Sequence, residues 1–213
     1  MVFEERIVGD EPGVLLIQPT ARHEAPTLDE EVRTMASLAG QSFVLVLLHV
    51  DAWDINLMPW PDDKISKDSR AGFCAADTLR FITDEILPEY EGLQVIIGGY
   101  SLAGLFALWA STVSDRFDSV AAASPSLWIK DWMPYAREHA VKANQVYLSL
   151  GDREEISKNS AIAKVGDCVR EQYGLLTGQL GPEHSTLVWE QGGHFTDNAG
   201  RLARAFSWCL SRF

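Results

Sequence analysis

Cysteine is scarce in this sequence, and the few cysteines present are poorly placed for cross-linking. The three residues, Cys74, Cys168 and Cys209, are odd in number, far apart, and lie in segments with a helical pattern. A disulfide framework is therefore not expected. None of them has the short spacing of a metal site, so we predict buried core thiols without a redox or metal-ligand role.

Positive charge is also in short supply. Eighteen basic residues stand against thirty acidic ones, which gives a formal net charge of −12. A surface of this sign repels phosphate backbones and anionic lipids, so neither nucleic acid nor a membrane is expected as a partner. A small-molecule substrate fits better, and a homodimer is compatible with the sequence, which does not fix the oligomeric state.

Long hydrophobic runs are missing as well. No stretch reaches the roughly 18 apolar residues that span a bilayer, and residues 1–6 lack the basic start and apolar run of a secretion signal. There is also no fixed-period repeat and no linker rich in proline, glycine or serine. We therefore expect a cytoplasmic protein in which residues 1–213 form one compact domain.

Predicted strands and helices alternate along the chain. Short apolar runs predict strands at 14–18, 43–50, 93–97, 119–123, 145–150 and 185–189. Helical spacing predicts helices at 27–39, 73–86, 102–113, 132–141, 161–176 and 197–213, the first with a capping box at Thr27 and the second ended by Pro88. Residues 2–12 are predicted to add an antiparallel edge. This order indicates the α/β class, with a mainly parallel sheet and helices on both faces.

The most informative turn runs from Gly99 to Gly104. It follows a predicted buried strand and opens a predicted helix, which is the setting of a nucleophile elbow, and it places Ser101 at the reactive position. The usual pattern is G-x-S-x-G, whereas Ala103 occupies the second glycine position here, a departure of one methyl group. The alternative is that Ser101 only caps the following helix.

A serine nucleophile needs a histidine base and a carboxylate that orients it. In α/β-hydrolases these follow the serine in the order acid, then histidine. His194 stands in the loop after the last predicted strand, so we predict it as the base; a helix-capping role is the alternative. The acid is expected after the strand at 145–150, where Glu154 is favoured and Asp152 and Glu155 remain open.

An oxyanion needs preorganised N–H donors. The first is predicted to be the backbone N–H of Leu102, and the second to come from Thr20 or Ala21, because Pro19 lacks an N–H. Two loops rich in aromatic residues are predicted to line the substrate pocket, unless they fill a satellite core. The residues singled out are Trp53, Asn56, Trp60 and Trp128, with Trp132 and Tyr135 beyond them.

These segments together resemble the putative-esterase family of α/β-hydrolases, which includes esterase D and the enterobactin-type siderophore esterases. The resemblance lies in Gly-Tyr-Ser-Leu-Ala-Gly at 99–104, Ala-Ser-Pro-Ser-Leu-Trp at 123–128, Leu-Gly-Asp-Arg-Glu-Glu at 150–155 and Gly-Gly-His-Phe at 192–195. It implies an α/β-hydrolase fold without a large lid and a carboxylic-ester hydrolase that needs no metal or cofactor. The extra amino-terminal domain of many siderophore esterases is absent, which weakens the case for a siderophore substrate.

The leading hypothesis is thus hydrolysis of a small-molecule ester through a serine acyl-enzyme. Thioester hydrolysis or acyl transfer would use the same residues. A binding protein that kept the fold without catalysis is the alternative from a different class.

Overall fold

The apolar strand segments come together in one seven-stranded sheet. The computed structural model describes residues 1–21, 25–156, 159–160 and 162–213. The strands are β1 (Val2–Val8), β2 (Val14–Thr20), β3 (Phe43–His49), β4 (Gln94–Tyr100), β5 (Ser119–Ala123), β6 (Gln145–Gly151) and β7 (Ser185–Glu190). Their order in the sheet is β1-β3-β2-β4-β5-β6-β7; β1 is antiparallel to β3 at one edge, and the other pairs are parallel. The predicted α/β architecture is therefore confirmed.

Helices cover both faces of the sheet. They are α1 (Ala25–Ala39), α2 (Trp53–Leu57), α3 (Ala75–Phe81), α4 (Leu102–Val113), α5 (Trp132–Glu138), α6 (Val165–Leu180) and α7 (Asn198–Leu210). Successive residues of β2 alternate between two cores: Ile17 packs under α4, whereas Leu16 packs under α1 and α7. Because both faces are buried, the central strands are apolar at consecutive positions. Across the described ranges, no helix is both long and apolar enough to cross a membrane.

The boundaries of several predicted helices were wrong. α1 begins at Ala25, so Thr27 lies inside the first turn, where Pro26 costs no hydrogen bond. Pro88 does not end the second predicted helix, because α3 is continued by a π-helical turn at Ile82–Ile86 and a 3₁₀ turn at Leu87–Tyr90 that tolerates proline near its start. α6 begins at Val165 and runs to Leu180, where Gly181 takes a positive φ of 92°; Ala161, its predicted start, lies outside the described residues.

Two further expectations need correction. The loop after β3, in which no helix was predicted, contains the one-turn helix α2, which fits because the prolines begin only at Pro59. The cysteines are all free, but only Cys209 is buried. Cys74 and Cys168 are half-buried, since Cys74 precedes α3 and Cys168 lies beside the buried stripe of α6.

Candidate active site

Ser101 lies in a sharp turn between β4 and α4. Its backbone angles are φ 56° and ψ −114°, a strained conformation for a residue with a side chain. Two backbone hydrogen bonds hold it there: its N–H donates to Ala123 O at 3.0 Å, and its carbonyl accepts from the N–H of Ser126 at 3.0 Å. The turn therefore presents the hydroxyl at the carboxyl edge of the sheet, as a nucleophile elbow requires.

The small residues around Ser101 are explained by close packing. A Cβ added to Gly99 would lie 2.5 Å from Ala103 Cβ, and one added to Gly104 would lie 2.9 Å from Gly99 O. The methyl group of Ala103 fits because position 99 has no side chain. The departure from G-x-S-x-G is thus accommodated by the glycine on the facing side of the turn.

His194 reaches the serine from the loop between β7 and α7. Its Nε2 lies 3.0 Å from Ser101 Oγ. Two hydrogen bonds fix this loop. Tyr100 Oη donates to His194 O at 2.7 Å, and the N–H of Gly192 donates to Asp152 Oδ1 at 2.8 Å. Gly192 has a positive φ of 98°. The loop therefore brings His194, the predicted base, to the sheet edge at which Ser101 lies.

Glu154 lies on the other side of the imidazole. Its Oε2 is 2.7 Å from His194 Nδ1, and its side chain is only 3% exposed. A carboxylate can only accept, so Nδ1 carries the proton and Nε2 is left free to accept from the serine hydroxyl.

The second oxygen of Glu154 is also fully occupied. Oε1 accepts from Gly151 N–H at 2.8 Å, Ser124 Oγ at 2.7 Å and Arg201 Nη1 at 3.0 Å. Burial by itself raises the pKa of the Glu154 carboxyl, but hydrogen bonds from His194, Ser124 and Gly151 outweigh it and hold that pKa below its ordinary value. Glu154 therefore stays ionised at neutral pH.

The two neighbouring carboxylates point elsewhere. Asp152 is exposed and bonds the N–H of Gly192, while Glu155 pairs with Arg170 at 3.0 Å. Of the three acidic candidates, Glu154 is the one that contacts His194, as predicted. His184, the other late histidine, is exposed beside Glu183.

Ser101 and His194 open into a cavity of about 350 Å³, which we call the serine cavity. Its walls combine apolar side chains with polar and charged ones. The lining residues are Ser101, Ser124, Ser126, Trp128, Arg153, Glu154, Ile162, Val165, His194 and Phe195.

Of the four predicted pocket residues, Trp128 lines the serine cavity and the other three lie elsewhere. Trp53 packs against the core, and Asn56 lines a separate cavity with His49 and Asp51. Trp60 donates its indole N–H to Lys130 O and stacks on Trp132 with ring centroids 6.2 Å apart. Trp60 therefore belongs to a packed aromatic cluster with Trp132 and Tyr135. The prediction that Trp53, Asn56 and Trp60 line the substrate pocket was wrong.

No protein-family model matches the sequence, and no curated protein matches it. Solved structures do match. The siderophore hydrolase EstB from Aspergillus nidulans superposes with a TM-score of 0.71 at 18% identity, over 96% of this chain and 88% of that one. An IroE-like serine hydrolase from Shewanella oneidensis gives 0.73 at 15% identity, over 98% and 75%.

The chain has the α/β-hydrolase fold. A third structure, the enterobactin esterase Fes from Shigella flexneri in the presence of enterobactin, superposes with a TM-score of 0.74 at 18% identity. The match covers 99% of this chain and 54% of that one, so this chain spans about half the length of that esterase. At these identities the likeness establishes the fold.

The α/β-hydrolase fold also fixes where oxyanion donors are to be sought. Leu102 follows Ser101 directly and begins α4. β2 lies beside β4 in parallel, so Thr20 at its end and Ala21 after it stand at the same sheet edge as Ser101. Leu102 and Ala21 remain the predicted donors; residues 22–24, which follow Ala21 in the sequence, lie outside the described residues.

Three site residues were missed from the sequence: Ser124, Ser126 and Arg201. Ser126 Oγ lies 3.2 Å from Ser101 Oγ, and Ser124 takes a positive φ of 44° where it bonds Glu154. Arg201 did carry a signal, because it shares the buried face of α7 with Ala205 and Cys209, where a charge needs a partner. Among the residues that the structure describes, no group of three or more His, Cys, Asp or Glu side chains is arranged to hold a metal ion.

Proposed function

We propose that this α/β-hydrolase-fold protein is a serine hydrolase that cleaves carboxylic esters, with Ser101 as nucleophile, His194 as general base and Glu154 as the orienting acid. The observation that supports this most strongly is the continuous hydrogen-bonded line from Glu154 Oε2 through His194 to Ser101 Oγ, with distances of 2.7 and 3.0 Å. Both distances lie in the range for proton transfer between positioned groups. The line ends in a cavity that a small ester can enter.

The proposed reaction follows from these contacts. His194 Nε2 accepts the proton of Ser101 Oγ as that oxygen attacks the ester carbonyl, and the Glu154 carboxylate stabilises the imidazolium that forms. The Leu102 N–H and the predicted second donor, Ala21 N–H, hold the oxyanion. When the carbon–oxygen bond breaks, the imidazolium gives its proton to the departing alcohol. Water then attacks the acyl-enzyme by the same route and releases the acid.

The names of the structural neighbours support an ester as the substrate class. They describe hydrolases of siderophores and an esterase of enterobactin. We transfer only the reaction type to this chain. The serine cavity, with Trp128, Ile162, Val165 and Phe195 on its walls, fits an apolar acyl group next to the ester bond.

Labelling with a fluorophosphonate tests whether Ser101 is activated. The folded protein should react within minutes at one site, because the reagent phosphonylates only serines whose proton is taken by a neighbouring base. Mass spectrometry should place the adduct on the peptide containing Ser101. The Ser101→Ala variant and heat-unfolded protein are the controls and should stay unlabelled. Failure of the folded protein to react, together with no cleavage of a p-nitrophenyl ester, would contradict the proposal.

A further inference from the structure

A second cavity lies next to the serine cavity and is lined by lysines. Its volume is about 240 Å³ and its lining residues are Asp62, Lys64, Trp128, Lys130, Ser160 and Lys164. We call it the lysine cavity. The sequence contains six lysines in a chain of net charge −12, and three of the five lysines that the structure describes line this one cavity. Such a concentration of positive charge in an acidic protein calls for an explanation.

The fold brings these lysines together through a buried carboxylate. Asp62 is 4% exposed, and its two oxygens accept the backbone N–H groups of Lys64 at 2.9 Å and Lys130 at 2.8 Å. Asp62 therefore fixes two separate loops side by side, and its own charge offsets one of the three cations.

Apart from Asp62, little negative charge compensates the positive charge of the three lysine ammonium groups. Lys130 Nζ is 3.8 Å from the exposed carboxylate of Asp131. Lys64 and Lys164 have no ion-pair partner within the part of the chain that the structure describes, and all three side chains are exposed. The cavity thus presents an excess of positive charge to solvent.

The two cavities share a wall. Trp128 lines both, and Lys164 directly precedes Val165, which lines the serine cavity together with Ile162. Arg153, also exposed, adds a further cation to the serine cavity itself. A molecule whose carbonyl lies at Ser101 can therefore extend past Trp128 toward the lysines.

We propose that the substrate is an ester that carries a negatively charged group, and that this group binds among Lys64, Lys130 and Lys164. The inference rests on the proposed function, because it names the substrate class of the same site. A lysine ammonium is a point charge without the planar fork of arginine, so the shared chemistry is an anion, whether carboxylate or phosphate. The apolar residues between the two cavities accommodate the uncharged part of the same molecule.

Matched ester pairs test the charge preference. On the acyl side, mono-p-nitrophenyl esters of straight-chain dicarboxylic acids are compared with neutral esters of equal chain length. On the alcohol side, p-butyryloxybenzoate is compared with p-butyryloxybenzamide. We expect kcat/KM to favour the anionic ester in at least one of these arms, and the preference to shrink as sodium chloride is added, because salt screens exposed charges.

The lysines are then replaced together, as Lys64→Gln, Lys130→Gln and Lys164→Gln. Each exposed ion pair between a lysine and the substrate anion contributes little, and the variant removes three of them. We therefore expect the ratio of anionic to neutral kcat/KM to fall about tenfold, while kcat/KM for the neutral ester stays near the unmodified value. The charge-matched control replaces Arg33, Arg116 and Lys142 by glutamine, three exposed cations that line neither cavity.

The outcomes separate this inference from the proposed function. An unchanged ratio in the lysine variant, or an equal fall in the control variant, would overturn the anion site while leaving ester hydrolysis standing. A preference for the neutral ester in both arms would do the same. If neither kind of ester is cleaved by the unmodified protein, the proposed function fails, and this inference with it.

A different observation concerns the interior beneath the triad. Arg201 is fully buried, and its guanidinium bonds Glu154 Oε1 and Ser124 Oγ through Nη1, at 3.0 and 3.2 Å, and Gln191 O through Nη2 at 2.9 Å. These partners belong to three different loops of the site. We infer that Arg201 is a positioning residue that holds Glu154 with Oε2 turned toward His194.

The pH profile distinguishes positioning from a purely structural role. In Arg201→Met we expect kcat/KM to fall about a hundredfold, the loss associated with small misplacements of reacting groups. The acidic limb of the profile should also move to higher pH, because removing the cation beside the carboxylate makes protonation of Glu154 easier. Arg201→Lys keeps the charge and should restore most of the activity and the original limb.

Arg204→Met is the control on the same helix, since Arg204 pairs with Glu190 and Asp197 and not with the triad. Activities are expressed per molecule labelled by the fluorophosphonate, so that unfolded protein does not count. An unshifted acidic limb in Arg201→Met, or an equal shift in Arg204→Met, would overturn the positioning role.

Discussion

Alanine at Ser101 or at His194 is expected to lower kcat for an activated ester by about 10⁵- to 10⁶-fold each, because either change removes a group that the attacking step cannot do without. Ser101→Ala deletes the nucleophile, and His194→Ala leaves the hydroxyl without the acceptor that now lies 3.0 Å away. The double variant should be no slower than either single one, since both changes disable the same step. Steady-state kinetics on a p-nitrophenyl ester measure all three.

Two neighbouring residues serve as comparisons. His184→Ala should keep the full rate, because His184 is exposed beside Glu183. Ser126→Ala removes a hydroxyl 3.2 Å from Ser101 Oγ and should cost less than about tenfold, since a hydroxyl cannot act as a general base. Losses in the two triad variants that multiply in the double variant would mean that Ser101 and His194 act in separate steps, contrary to the proposed mechanism.

The strand and helix order was predictable from the sequence because both sheet faces are buried. Runs such as Phe43–His49 are apolar at consecutive positions, which is typical of a central parallel strand. The edge position of β1 was predictable too. It is the first strand in the chain, and its residues are largely exposed, as suits a strand at the edge of a sheet. Helix ends were less predictable: turns such as Ile82–Ile86 and Leu87–Tyr90 change hydrogen-bond pattern without a change in periodicity.

The order of the motifs along the chain was enough to predict Ser101 and His194 and to favour Glu154, because each follows a strand whose carboxyl end meets the same sheet edge. It left Asp152 and Glu155 open as the acid. The pocket was not predictable in the same way. Whether Trp60 lines a cavity or stacks on Trp132 depends on how two loops distant in sequence pack, and periodicity carries no information about that. The contacts of Arg201 were not predictable for the same reason, because its partners come from loops that are distant in sequence.

Replacement of Glu154 by glutamine is expected to lower kcat about 10³- to 10⁴-fold, the second largest effect after loss of the serine or the histidine. The glutamine keeps the shape of the side chain and can still accept a hydrogen bond from Arg201. It removes the charge that stabilises the imidazolium, and an amide N–H facing His194 Nδ1 favours the wrong tautomer. We prefer it to Glu154→Ala, because an alanine would remove both the charge and the hydrogen-bond acceptor that Glu154 offers to the buried Arg201 and cost about 3–5 kcal/mol of stability.

The neighbouring acids provide matched controls within the same turn. Asp152→Asn and Glu155→Gln change the charge by the same amount, but these side chains bond Gly192 and Arg170 and not the imidazole. Both should keep kcat within about threefold, since their bonds lie outside the line of proton transfer. A Glu154→Gln variant as fast as these two would show that a Ser101–His194 dyad suffices. Equal losses in all three would instead mean that the charge of the whole turn, and not one oriented carboxylate, supports the histidine.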